Sequence, residues 1–167
     1  MRKVVRFLLL AAALAALGLL PFRATDAAKL IPVRAVIVTR DGGSYTVDVG
    51  QAVRGVGRTL SEALEDLRAG VSGEIFFPTA EEIVVTDTGD DFAGTVTAVT
   101  EESAFQPAAG LYRTEERGLD ASAVAAYLAA HPSEVTLVRV RGALHAGEPV
   151  ALPTLRVEGG GFAVDAP

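Results

Sequence analysis

The chain reads as an α+β protein: a mixed, mostly antiparallel sheet of about five to seven strands with two covering helices, preceded by an N-terminal hydrophobic leader helix. Three observations point there. Short runs rich in Val, Ile and Thr recur between glycine-bearing turns. Two stretches, Thr59 to Gly70 and Asp120 to His131, instead carry the spacing of amphipathic helices. The first twenty or so residues are basic and then purely apolar, unlike anything that follows.

The leader comes first. Arg2, Lys3 and Arg6 precede Phe7 to Leu20, a run containing Phe, Leu, Ala and Gly alone. It has no polar face, so it is not an amphipathic helix of the fold. Positive residues ahead of such a run keep the N-terminus in the cytoplasm and send the rest across the membrane. The run is shorter than the roughly 20 residues that span a bilayer comfortably, which favours a cleaved signal peptide. The weak small-residue site at Thr25-Asp26-Ala27 favours an uncleaved anchor, and both remain open. Residues 1–28 are therefore a signal peptide or N-terminal membrane anchor, and the expected location is the outer face of the cell membrane or the secreted fraction.

Composition bounds the remainder, residues 29–167, to a single domain with room for a real core. Half of the chain is hydrophobic, aromatics make up 6% and there is no Trp, which argues against a stacking platform for bases or sugars. Removing residues 1–28 takes away four of the 15 basic residues and one of the 21 acids, leaving 11 against 20, a balance of −9. Such a surface repels phosphate backbones, so no nucleic acid is expected as a partner. With no cysteine there is no disulfide, thiolate metal site, thiol nucleophile or lipoprotein-type anchor.

Val33 to Arg40 is β-branched, and Asp41-Gly42-Gly43-Ser44 is a turn wanting positive φ. Tyr45, Val47 and Val49 then alternate with Thr46, Asp48 and Gly50, completing a hairpin with one buried face. Gly55-Val56-Gly57 reads as a tight turn built on positive φ. Thr59 follows as an N-cap, with Glu62 completing a T-x-x-E capping box. Leu60, Ala63, Leu64 and Leu67 form one buried helical stripe, Glu62, Glu65, Asp66 and Arg68 face water, and Gly70 ends the helix. Ile75 to Phe77 and Ile83 to Val85 are apolar runs suited to the middle of a sheet, with Leu60, Leu64, Leu67, Phe76 and Ile83 expected in the core.

Thr86 to Asp91 reads as an acidic surface loop and Thr95 to Thr100 as a β-rich run. Glu101 to Phe105 is a short helix broken by Pro107, with the residues up to Arg117 an excursion over the surface. Asp120 caps a second helix whose apolar stripe is Val124, Tyr127 and Leu128, stopped at His131-Pro132. Val135 to Val140 reads as a strand that places Arg139 and Arg141 on one wet side. Val150 to Val157 and Phe162 to Val164 form a closing hairpin, Pro153 suggesting an edge position. No repeat or linker divides residues 29–167.

Gly55, Gly57, Thr59, Leu60, Glu62, Ala63 and Leu64, followed by Phe76, Phe77, Glu82 and Ile83 to Val85, make up a G-x-G-x-T-L-x-E-A-L segment, an aromatic bend and an apolar strand. This pattern resembles the N-terminal domain of the Ger(x)C family, the C subunits of bacterial spore germinant receptors. The hairpin from Val33 to Val53 lies where that family has its first two strands, and an L-P-x-[IL] strand like Leu152 to Leu155 closes the family's domain. The family also has a lipidated cysteine after its leader and two further domains, whereas this chain has no cysteine and residues for one domain. The resemblance implies a non-enzymatic, membrane-associated, extracytoplasmic protein that acts in spore germination through protein binding to receptor-like membrane subunits. Its motif residues Gly55, Gly57, Thr59, Glu62 and Leu64 are structural.

Chemistry at other positions is thin. Ala52 to Thr59 imitates a phosphate loop, but Ala stands for the first Gly and Arg58 for the Lys that reaches the phosphates; Ile83 to Asp87 imitates its partner strand. The two histidines, His131 and His145, have no partner at ligand spacing, and no G-x-S-x-G elbow surrounds any serine. Glu81, Glu82, Asp87, Asp90 and Asp91 offer oxygens for calcium without the D-x-[DN]-x-[DN]-G order. No catalytic, cofactor-binding or metal-binding residue is therefore expected. Two other classes compete: an extracytoplasmic small-molecule binding domain, which needs a concave apolar pocket, and an exported hydrolase, which needs His131 or His145 beside a serine and an acid.

Overall fold

The computed structural model describes residues 29–50 and 53–167, so the leader assigned to residues 1–28 lies outside the described residues. The elements run β1 (Leu30–Pro32), β2 (Ala35–Asp41), β3 (Ser44–Asp48), β4 (Arg54–Gly57), α1 (Leu60–Ala69), β5 (Glu74–Phe76), β6 (Glu82–Thr86), α2 (Phe92–Glu101), β7 (Gly110–Thr114), α3 (Ala121–Leu128), α4 (Leu137–Ala146), β8 (Thr154–Glu158) and β9 (Gly161–Asp165). A single 3-10 turn at Phe77–Thr79 joins β5 to β6. No helix among these residues is long and apolar enough to cross a membrane.

The α+β class and the mixed sheet agree with the sequence reading. Seven strands lie in the order β4-β3-β2-β6-β7-β8-β9. The centre is parallel, β2 with β6, β6 with β7 and β7 with β8, while antiparallel pairings form both ends. The first hairpin turns on Gly42 and Gly43, both at positive φ (56° and 78°), as two-residue hairpin loops require. β1 and β5 pair as a small parallel sheet of their own.

Side-chain parity sorts the core into two layers. Val36 and Val38 of β2, Ile83 and Val85 of β6 and Leu111 of β7 meet Leu60, Leu64 and Leu67 of α1, Val96 and Val99 of α2, and Leu137 and Val140 of α4. The opposite face presents Ala35, Ile37, Val84, Tyr112 and Leu155 to Ala121, Val124 and Leu128 of α3. The central strands are buried on both faces, and β6 has all five residues buried.

Four helices cover the sheet rather than two, and the differences are local. Thr95 to Thr100 lies in α2. Asp91 caps that helix by accepting from Gly94 N, and Thr95, Thr97 and Thr100 turn their hydroxyls back onto helix carbonyls. Their β propensity is outweighed by a face, Thr95, Val96, Val99 and Thr100, that recurs at helical spacing and packs on the sheet. Of Val135 to Val140, Leu137 to Val140 begin α4, and Thr136 ahead of them is extended and makes one β-bridge with Gly110. Leu137 and Val140, three apart, are what it buries. Glu101 closes α2 instead of opening a short helix, and the expected surface excursion contains β7, a central strand whose Leu111 and Tyr112 are fully buried. Pro153 precedes β8, which is an inner strand; its carbonyl accepts from Arg113 N at 2.9 Å, and β9 is the edge. β5 stands outside the main sheet, and of the two phenylalanines it is Phe77 (1% exposed), not Phe76 (37%), that enters the core.

Candidate functional site

The motif residues Gly55, Gly57, Thr59, Glu62 and Leu64 come together where α1 crosses β4. Thr59 caps α1 as expected: its Oγ1 accepts from Glu62 N at 3.1 Å, and Glu62 Oε2 returns to Arg58 N at 2.8 Å. Leu64 is buried with Leu60, Ala63 and Leu67. The glycines, however, are not a turn. Both lie in β4 and neither has a positive φ. Their missing side chains let the helix lie directly on the strand. A Cβ on Gly55 would stand 2.0 Å from the Ala63 carbonyl oxygen and 2.5 Å from Leu67 Cβ, and one on Gly57 would stand 2.4 Å from Ala63 N. Gly70 ends the helix from a right-handed conformation (φ −78°), its N–H returning to Asp66 O and Leu67 O.

The same seat removes the phosphate-loop imitation. Ala52 lies outside the described residues, and Arg54–Gly57 in the middle of the segment is extended strand. Val56 N donates to Asp66 Oδ2 at 2.9 Å and Arg58 N to Glu62 Oε2, so protein carboxylates already occupy the donors a phosphate would want.

Acids and arginines gather at the C-terminal ends of the parallel strands. Arg40 on β2 pairs with Asp91 at the start of α2, and Arg113 on β7 pairs with Asp87 at 2.8 Å and Glu115 at 2.9 Å. Arg117 reaches Asp41 at 3.0 Å. Asp91 is the one non-glycine residue with positive φ (43°) among the described residues. The Gly94 N–H, then Arg40, hold its carboxyl below the usual range, while Asp91 raises the Arg40 guanidinium. Arg113 also lies over the Phe92 ring, 5.5 Å from its centroid. Each charge is answered by its opposite, so the cluster ties β2 and β7 to α2. Four of the five acids considered for calcium are spent here or elsewhere, Asp87 and Asp91 on arginines, Asp90 on Gly43 N and Glu81 near Arg34, while Glu82 is buried apart from them. Among the described residues no group of three or more His, Cys, Asp or Glu is placed to hold a metal ion.

His131 follows α3, its Nδ1 2.9 Å from the Tyr127 carbonyl and its ring stacked on Tyr127 at 4.2 Å. His145 lies in the last turn of α4, with Gly147 ending the helix at φ 70°. Arg139 and Arg141 are helical too. Arg139 donates to Glu134 O, and Arg141 donates to Thr100 O at the end of α2, so one of the pair clamps two helices together.

Several shallow depressions open on the surface, and two of them bear on the readings above. One, of about 260 Å³, lies between β1, β5 and the end of α1 and is lined by Ile31, Val33, Val49, Val53, Val71 and Ile75, with Ser72 the hydroxyl on its wall. The other, of about 180 Å³, lies over the part of the sheet that α3 leaves bare, where Asp41, Asp48, Arg54 and Arg117 surround Thr39 and Thr46. Its charges are paired, Arg54 with Asp48 at 3.0 Å and Arg117 with Asp41.

What sequence reasoning missed is the burial of Glu82. It is 7% exposed at the start of β6, and among the described residues it has no cationic partner and its Oε2 has no hydrogen-bond partner. Burial raises its carboxyl from an ordinary 4.5 to about 7, with the Glu81 carboxylate pushing the same way and the nearby Tyr112 hydroxyl opposing. Gly110, its neighbour across the ladder, makes the room: a Cβ there would lie 2.4 Å from Glu82 Oε2. The available signal was parity. Glu82 shares its side of the strand with Val84 and Thr86, and an apolar strand covered on both faces buries either parity.

A comparison of the chain with known protein-family models, with curated proteins and with solved structures finds no match.

Proposed function

We propose that this chain is an exported, membrane-associated, non-enzymatic domain that resembles a germinant-receptor C subunit and acts in spore germination through protein contacts. The observation that carries this reading is the seat of α1. Gly55 and Gly57 are spent on letting a helix approach a strand, and Thr59 and Glu62 on starting that helix, so the residues that carry the resemblance build a scaffold and line no reactive cleft. The balance of −9 over residues 29–167 fits an extracytoplasmic partner surface and not a nucleic acid.

The reading is tested in the endospore former that carries the chain. A tagged full-length copy should fractionate with the membrane, crosslink to integral membrane subunits encoded beside it, and be required for the germinant response. Recovery of the intact chain in the cytosol, or unchanged germination after its deletion, would defeat it.

The groove beside β1 and β5 favours a second reading, an extracytoplasmic small-molecule binding domain. Its volume of about 260 Å³ is below the roughly 300–1,000 Å³ of most ligand sites, and convergent polar groups are lacking on its wall, so it ranks second.

A further inference from the structure

The seven-stranded sheet ends on β4 at one side and on β9 at the other, and the two edges are finished differently. On β4 the outward N–H of Val56 is taken by Asp66 of α1 at 2.9 Å, so a side chain closes that edge. β9 belongs to a hairpin that turns on Gly159 and Gly160, at φ 58° and 83°, and its five pairs with β8 run one to one without a bulge. In a two-residue hairpin the residues that close the loop, here Glu158 and Gly161, exchange hydrogen bonds, and bonded and non-bonded pairs then alternate. Gly161, Ala163 and Asp165 therefore spend their backbone groups on β8, while Phe162 and Val164 direct theirs outward. No loop or helix backbone among the described residues takes those groups. Sheet edges are commonly blunted by Lys, Pro or a bulge, and β9, Gly-Phe-Ala-Val-Asp, carries none of them. Its hairpin is also short of support. β8 pairs with β7 at Thr154 and Leu155 alone, so beyond Leu155 it is a two-stranded ribbon, an arrangement marginal in water by itself. Val157, 47% exposed, lies opposite Phe162 there.

We propose that β9 pairs with β9 of a second copy of this chain, antiparallel about a twofold axis through Ala163, which joins two sheets into one. The strand is self-complementary in that register. Phe162 of each copy falls opposite Val164 of the other, and both direct their backbone groups outward, so each of the two pairs exchanges two N–H···O bonds. Ala163 meets Ala163 at the axis. Asp165, the one charged residue of the strand, falls opposite Gly161 and is already answered by Arg156 of its own copy at 3.0 Å, so no like charges are set directly across the seam. A shift by one residue sets outward groups against inward ones, and a shift by two carries Phe162 or Val164 past the end of the facing strand. The contact is isologous and closes on itself. Confined to one strand, it belongs with interfaces below roughly 1,200 Å², which associate weakly. The balance of −9 on residues 29–167 of each copy opposes it, so added salt strengthens it. The pairing depends on this edge and not on the process the domain serves.

The test uses the full chain, which has no cysteine of its own. Ala163→Cys places two sulfurs across a non-bonded pair with Cα atoms about 4.5 Å apart, within disulfide reach, and mild oxidation of the cell fraction that holds the chain should link the copies. Glu158→Cys stands at least three strand spacings, roughly 14 Å, from its counterpart and should stay unlinked. Sedimentation of the purified chain in non-ionic detergent should show a reversible dimer that tightens with salt. Val164→Pro costs no bond to β8, because that N–H faces away, and deletes two of the four bonds between copies. It should raise the dissociation constant about thirtyfold with an unchanged circular dichroism spectrum. Should either variant not fold, a mixture of Gly161→Cys and Asp165→Cys chains should link to each other and neither to itself. A wild type that stays monomeric up to about 100 μM, above the micromolar range of weak contacts, would overturn the pairing. So would an unlinked Ala163→Cys, a Glu158→Cys that links as well, a dimer indifferent to Val164→Pro, or an Ala163→Cys that links only to a different protein.

Discussion

Gly55→Ala is the substitution that most directly tests how α1 is seated. The added Cβ would stand 2.0 Å from Ala63 O, 2.5 Å from Leu67 Cβ and 2.6 Å from Leu67 N. Ordinary contact begins near 3.4 Å, and two of the three obstacles are backbone, which cannot rotate away. The helix must therefore lift from β4 by about 1 Å or more, and a gap of 0.5–1 Å already forfeits a quarter to a half of the dispersion energy of the atoms facing it. α1 presents Leu60, Ala63, Leu64 and Leu67 to that interface, all buried. With roughly 1.5–3 kcal/mol for each fully buried leucine, losing about a third of three of them costs about 1.5–3 kcal/mol, in line with measured overpacking penalties. At about 3–4 °C per kcal/mol for a domain of this size, the midpoint should fall by roughly 5–12 °C. Urea and thermal unfolding followed by far-ultraviolet circular dichroism would measure it. Gly142→Ala is the control: it lies inside α4 with nothing within 4 Å, and should be neutral or stabilising by up to about 1 kcal/mol. Gly55→Asn discriminates further, because asparagine tolerates a left-handed backbone but is larger than alanine. If Asn restores what Ala loses, or if Gly55→Ala is as stable as wild type, close approach is not the reason for the glycine.

Other perturbations have definite expected outcomes. Thr59→Ala should cost about 1 kcal/mol in urea unfolding, since it removes the acceptor of Glu62 N. Leu67→Ala empties a fully buried site and should cost about 2–5 kcal/mol by the same measurement. Glu82 makes stability pH-dependent: its carboxyl titrates at about 7 when folded against 4.5 when free. The folded state therefore holds a proton that the unfolded state has given up, and its contribution is complete below about 4.5 and lost as pH rises through about 7. The full swing is about 3 kcal/mol, and unfolding of Glu82→Gln between pH 4.5 and 8 should lack it. Arg117→Ala breaks a pair with Asp41 in which both side chains are about 60% exposed, and unfolding should move by less than about 0.5 kcal/mol.

The legible parts of the chain were those whose signals are local. The Gly42-Gly43 hairpin, the Thr59 cap, the leucine stripe of α1, the Asp120 cap and the closing hairpin each rest on a few consecutive residues whose backbone or side-chain needs are met among themselves. The candidate site was legible to the same extent. Gly55, Gly57, Thr59, Glu62 and Leu64 do converge, but the glycines act through contact with a helix five to twelve residues downstream, which spacing alone does not distinguish from a turn.

Sequence by itself determined that this chain would make an α+β domain with a mixed sheet, a capped helix after Thr59 and an acidic exterior, because period, caps and charge are properties of short windows. Tertiary structure alone decided that Thr95 to Thr100 and Leu137 to Val140 are helical instead of extended, since β-branched residues suit either state and packing on the sheet chose. It also decided that β7 runs through the centre of the sheet and that Glu82 loses its water there. Burial is set by which strand lies beside which, and that neighbour is supplied by residues far along the chain.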